Sequence, residues 1–162
     1  MAILTAAASQ FTAQGYDHLT MDRIAAEAHV GKQTIYRWWP SKAALIAECL
    51  AEGMLNPDWF VPGDSGDLRD GLATWVVNVA DFLREQGNET LLLSLVIAAA
   101  ENADVAAQLN ERLGLFTILG ERLGADAVEV GEAIVGAMVV RSLRRGTLDR
   151  EFAERLVASI RL

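Results

Sequence analysis

The stretch Val30-Gly31-Lys32-Gln33-Thr34-Ile35-Tyr36-Arg37-Trp38-Trp39-Pro40-Ser41-Lys42 decides how this chain is to be read. A short helix runs from about Lys32 to Trp39; Pro40 stops it and Ser41 can cap the next one. Upstream, Thr20 is a plausible N-cap for another short helix, with Asp22 well placed against the positive end of its dipole. That helix carries Ile24, Ala25 and Ala28 inward, and His29-Val30-Gly31 makes a tight break. Short helix, three-residue turn with a glycine, short helix is the helix-turn-helix pattern. Ile24, Ala25, Val30 and Ile35 are the residues expected to lock its helices together, Ala25 being small because they cross closely. The outward face then offers Lys32, Gln33, Thr34, Tyr36 and Arg37, each able to hydrogen-bond to DNA. Arginine reads guanine bidentately and glutamine suits adenine, while Thr, Tyr and Lys commonly meet phosphate.

Working outward, Ile3, Leu4, Ala7, Ala8 and Phe11 recur at helical spacing and predict a first helix ending near Gly15. The fourth helix continues from Ser41 to about Leu55, and Asn56–Gly66, with two prolines, two glycines and two aspartates, reads as a linker. Leu68, Leu72, Trp75, Val76, Val79, Phe82 and Leu83 share one face of a fifth helix, which Gly87-Asn88 breaks. Leu91–Ala100 is apolar nearly all round and should be buried. A seventh helix carries Val105 through Leu123, an eighth runs from about Asp126 to Arg145, and a ninth starts near Asp149. The expectation is an all-α protein of about nine helices, with a helix-turn-helix head over residues 1–50 and a second helical domain over 51–162.

Composition narrows the function. The chain has 162 residues, 52% of them apolar and 22% charged, enough for a sizeable core. The single cysteine, Cys49, excludes an intramolecular disulfide framework and any multi-cysteine metal site, and its apolar surroundings suggest a small buried residue. No charged n-region precedes the first helix, and Leu91–Ala100 is about half the length of a membrane span, so no membrane association and a cytoplasmic location are expected. His18 and His29 have no partners at metal spacing, and the serines lie in no nucleophile-elbow context. Asp64, Asp67 and Asp70 read better as a solvated helix start than as a calcium site. Neither an enzyme nor a cofactor or metal is expected.

The net charge of −8 sits awkwardly with a polyanionic partner. Residues 1–54 hold four cations (Arg23, Lys32, Arg37 and Lys42) against five acids, whereas residues 55–162 hold ten arginines against seventeen acids. Three of the four cations in the first part crowd into positions 32–42.

The residues Phe11, Gly15-Tyr16, Leu19-Thr20, Ile24-Ala25, Ala28, Val30-Gly31-Lys32, Thr34-Ile35-Tyr36, Trp39-Pro40-Ser41-Lys42 and Leu45 together closely resemble the TetR-type DNA-binding domain over roughly residues 3–50. That resemblance implies operator DNA as a partner. Lys32, Gln33, Thr34, Tyr36 and Arg37 would line the major groove, with Lys42 and Thr20 holding phosphates at the starts of the fourth and second helices. Trp39 takes the family's buried aromatic position; Trp38 is open to either packing or DNA contact. Two departures stand out: Gly31 replaces the common serine, and Met1-Ala2-Ile3-Leu4 offers no basic arm. About three phosphate-facing cations per subunit predict a shallow salt dependence.

Residues 133–162 resemble the last two helices of many members, which implies packing against a second copy as a four-helix bundle. Gly131, Ile134, Gly136 and Met138 on the eighth helix and Phe152, Leu156 and Ile160 on the ninth are the expected homodimer residues, with intrachain packing as the alternative. The family also places a small-molecule effector pocket between linker and dimer helices. Trp59, Phe60, Trp75, Val79, Phe82, Val96 and Phe116 are candidate lining residues, or else ordinary core; their character favours an apolar or aromatic ligand. The leading expectation is a repressor released by such an effector, the alternative a helical dimer that uses its helix-turn-helix mainly for protein–protein contact.

Overall fold

The computed structural model describes residues 1–55, 66–85, 87–88, 90–112 and 115–160, with the backbone alone for residues 111, 112 and 115–118. Among them are ten α-helices: α1 Ala2–Gln14, α2 Met21–Glu27, α3 Lys32–Trp38, α4 Lys42–Ala51, α5 Leu68–Arg84, α6 Leu91–Glu101, α7 Ala103–Arg112, α8 Leu115–Leu123, α9 Ala127–Leu143 and α10 Arg150–Ser159. A 3₁₀ turn, Gly124–Asp126, precedes α9, and no strand occurs among the described residues. The fold is all-α, as the sequence predicts. The helix expected over 105–123 is represented by α7 and α8, on either side of residues 113 and 114, which lie outside the described residues. None of the described helices is long and apolar enough to cross a membrane, and no cluster of metal-ligating side chains occurs among the described residues.

Two compact units are present: Met1–Asn56 with Leu83–Arg112, and Pro57–Phe82 with Leu113–Leu162. The unit that contains the helix-turn-helix therefore also takes in α6 and α7, which pack on α4, so its limits differ from the expected division at residue 50. In this unit Leu4, Ala7 and Phe11 from α1, Leu19, Ile24 and Ile35, and Leu45 and Ile46 from α4 form the buried core. Cys49 is buried there as expected; its thiol donates to the Leu4 carbonyl at 3.6 Å, and burial pushes its pKa up to about 12.

One joint of this unit leaves no trace in the pattern of apolar residues. The corner between α1 and α2 docks on Gly87, Asn88 and Thr90, just before α6. Gly15 (φ +77°) and Gly87 (φ +95°) meet so closely that a Cβ on either would lie 2.7 Å from a backbone oxygen of the other segment. The Asp17 N–H donates to the Gly87 carbonyl at 2.6 Å, and the Tyr16 N–H donates to Oδ1 of the buried Asn88 at 3.0 Å. The Thr90 hydroxyl donates to the Asp17 carboxylate. Gly87-Asn88 is thus more than a helix break: a side chain at position 87 would push two backbones apart.

In the second unit Leu72, Trp75 and Val76 of α5, Leu119 of α8, Val130, Ile134 and Met138 of α9, and Ala153 and Val157 of α10 are buried. Arg69 at the start of α5 donates to the Val157 and Ile160 carbonyls at 2.9 and 3.0 Å, tying α5 to the end of α10. Asp149 caps α10 by accepting from the Phe152 N–H at 2.8 Å.

The expected dimer residues separate by face. Gly131, Ile134 and Met138 recur at helical spacing on the side of α9 buried within this chain, so they are core rather than interface. Gly136 lies on the exposed side, with open space around its Cβ position. Phe152, Leu156 and Ile160 of α10 are half-buried. The exposed apolar residues of α9 are Val128, Val140 and Leu143, a second face that its several apolar positions foreshadow.

Candidate nucleic-acid interface

At seven residues, α3 is too short to be stable alone, and its orientation is set by its anchors. Ile35 is its one fully buried side chain. The turn before it closes with the Val30 N–H on the Ala25 carbonyl at 3.0 Å. The residue that takes the left-handed conformation in this turn is His29 (φ +54°), not Gly31, whose extended backbone caps α3 without a side chain. Downstream, the helix ends at Trp38, one residue earlier than expected. Trp39 is half-buried, its indole N–H donating to Glu48 Oε2 at 2.6 Å, which fixes the exit from α3 to α4. Ser41 caps α4 through the Ala44 N–H at 3.1 Å.

With the buried side so anchored, Lys32, Gln33, Thr34, Tyr36 and Arg37 all lie exposed. Among the described residues the side chains of Gln33, Thr34, Tyr36 and Arg37 make no hydrogen bond, so their donors and acceptors are open to an incoming partner. Trp38 joins them, 68% exposed, which removes the packing alternative for this residue. An exposed indole beside five polar groups is a surface built for contact rather than for a core. Thr20 is exposed and caps α2 by accepting from the Arg23 N–H at 3.3 Å, leaving its hydroxyl proton available.

Lys42 departs from expectation. Its ammonium donates to the carbonyls of Tyr16 at 2.8 Å, Leu19 at 3.2 Å and Asp17 at 3.5 Å, and lies 4.2 Å from the centre of the Tyr16 ring. Three N–H donors thus face three acceptors, and the expected phosphate contact is replaced by an internal strut from α4 to the α1–α2 corner. Partial burial lowers the Lys42 pKa, opposed by the charge of Asp17, and burial raises that of Tyr16.

The other cations of the head differ in the same respect. Arg23 donates to Gln14 Oε1 at 2.8 Å. Lys32 is paired with Asp22 at 2.8 Å, and that hydrogen bond raises its pKa. Arg37 alone has no partner among the described residues.

The candidate effector residues are brought together only in part. Trp59 and Phe60 lie outside the described residues, as does the side chain of Phe116. Trp75, Val79 and Phe82 share one face of α5, Trp75 buried and the other two half-buried. Val96 belongs to the other unit and is exposed. A groove of about 540 Å³ does occur in the second unit, at the end of α9, but it is lined by Arg141, Arg144, Arg145 and Phe152 and by none of the expected residues.

Residues 3–49 match the family model of the bacterial regulatory proteins, tetR family. This part of the chain is a TetR-family domain. It is 32% identical over 111 residues to the HTH-type transcriptional regulator YdeS of Bacillus subtilis, covering 68% of this chain and 54% of that one. The crystal structure of TetR family transcription regulator SCO0332 superposes with a TM-score of 0.65 at 27% identity, covering 96% of this chain and 92% of the other. The multidrug binding protein EbrR, solved with proflavin, shares the fold with a TM-score of 0.65 at 19% identity, covering 97% and 96%. The chain spans between 28% and 54% of the lengths of the first curated relatives it matches.

The strut predicts a mutational signature. Lys42→Met keeps the aliphatic stem but leaves the Tyr16 and Leu19 carbonyls without their donor. It should lower the unfolding free energy by about 1–3 kcal/mol in a urea titration. A variant as stable as the parent would return Lys42 to the phosphate-facing role that the family resemblance implies.

Proposed function

We propose that this protein is a sequence-specific DNA-binding transcription regulator that reads operator DNA in the major groove with the outer face of α3. The observation that carries the reading is the set Gln33, Thr34, Tyr36 and Arg37, exposed together on a helix held by one buried isoleucine. Lys32 and Thr20 extend the contact toward phosphate, and Trp38 adds an indole N–H and an apolar ring. In functional terms, we assign DNA reading to residues 1–50, and ligand sensing and dimerisation to residues 51–162.

The homodimer reading rests on α9. Val128, Val140 and Leu143 are exposed around the open position at Gly136. Glu129 and Glu132 lie toward the start of this stripe, and Arg141, Arg144 and Arg145 toward its end. Two copies of α9 crossing antiparallel near Gly136 would set each acidic end against the partner's basic end, as a two-fold interface requires. Two heads so joined can read half-sites a helical turn or a multiple of it apart. A repressor role, with release by a small apolar or aromatic effector near Trp75, Val79 and Phe82, follows the family and the proflavin complex of EbrR. Such an effector lowers DNA affinity only by its differential affinity for the two states.

Selection of tight-binding sequences from a random duplex pool, followed by anisotropy titration, tests this reading. We expect one enriched sequence family with two half-sites. Arg37→Ala should weaken its binding by about 1–3 kcal/mol and relax preference at one position per half-site. Leu143→Glu should give a monomer in sedimentation and lose the paired-site affinity with α3 intact. No enrichment over the pool overturns the DNA reading; a dimeric Leu143→Glu variant overturns the interface. An aromatic compound that binds near α5 without changing operator affinity would rule it out as the effector.

A further inference from the structure

Asp22, in the first turn of α2, places both carboxylate oxygens 2.8 Å from Lys32 Nζ, across the turn that joins the two helices. Both groups are exposed, Asp22 at 72% and Lys32 at 45% of their side-chain areas, so nothing in the core forces them together. Asp22 also lies two residues from Thr20, which puts a fixed negative charge next to the hydroxyl expected to meet a phosphate.

We infer that Asp22 is a specificity-determining positioning residue, which holds Lys32 away from phosphate until a correct site is engaged. The inference rests on the reading of α3 as the DNA-contacting helix. Sequence-independent attraction to duplex DNA comes almost wholly from cations that neutralise phosphates and release counterions. In this head Lys42 is bound to carbonyls and Lys32 is bound to Asp22, so Arg37 is the open cation on α3 among the described residues. A random duplex offers Lys32 one phosphate in exchange for Asp22, a near-balanced trade. At an operator the neighbouring contacts of Gln33, Thr34 and Arg37 form at the same time and draw Lys32 across. The acid therefore subtracts more from random binding than from specific binding, which is what discrimination requires.

Removing the acid without changing its shape tests this. The probe is a random-sequence duplex of about 30 base pairs, titrated by anisotropy against salt with wild type, Asp22→Asn, Lys32→Gln and the double variant. We expect Asp22→Asn to bind the random duplex roughly tenfold more tightly. Its salt slope should steepen by about one unit per subunit, the signature of one freed cation. Lys32→Gln alone should change random binding little, and in its background the gain from Asp22→Asn should vanish. A change in fold would not produce this pattern, and the exposure of both groups makes the variants easy to compare by denaturation midpoint.

An equal gain with and without Lys32 would mean that Asp22 merely repels DNA, and would overturn the inference. So would an Asp22→Asn variant with wild-type affinity and slope. If wild type and all variants bind neither the random duplex nor any selected sequence, the DNA reading itself fails and takes this inference with it. Selective binding by wild type with no effect of Asp22→Asn removes the inference alone.

Discussion

A seven-residue helix cannot hold itself in water, and every functional reading of this protein depends on how its neighbours hold α3. Ile35 buries one side, the Val30–Ala25 hydrogen bond fixes the entry, and the Trp39–Glu48 contact fixes the exit. Lys42 then ties α4 to the corner between α1 and α2, and that corner is itself docked on Gly87 and Asn88. The exposed donors of α3 are thus the outer end of a chain of internal contacts that reaches α6. Movement of Gly87, Asn88 or Thr90 would be felt at Tyr16 and Asp17, and through Lys42 at α4.

Much of this arrangement is legible in the residues. Pro40 and Ser41 mark the boundary between α3 and α4, Thr20 marks the start of α2, and the polar run 32–37 names the exposed face by its composition alone. What local pattern does not carry is long-range. Lys42 is expected to hold a phosphate because of the family resemblance; only the fold brings three carbonyls around it. Asn88 looks like loop punctuation, and its buried bond to Tyr16 spans 72 positions that no local pattern links. Three of the expected dimer residues, Gly131, Ile134 and Met138, turn out to be buried for a related reason. Small and apolar residues surround α9 on several faces, and periodicity alone cannot tell which face the chain covers itself and which it leaves open.

The net charge of −8 takes on a different meaning beside these contacts. It is matched by a head whose few cations are mostly engaged with its own groups. Such a surface is poorly suited to holding DNA by charge and well suited to neutral donors arranged at a set spacing. On the proposed reading, affinity then depends on correct placement of Gln33, Thr34, Tyr36 and Arg37, once per half-site, rather than on a general attraction to the backbone.

The salt dependence of wild-type binding to a selected operator tests this central claim most directly. With at most Arg37 and Lys32 reaching phosphate from each of two heads, the slope of log K against log salt should fall between about −2 and −4. A slope steeper than about −5 would require at least three phosphate-bound cations per head, and would contradict the account.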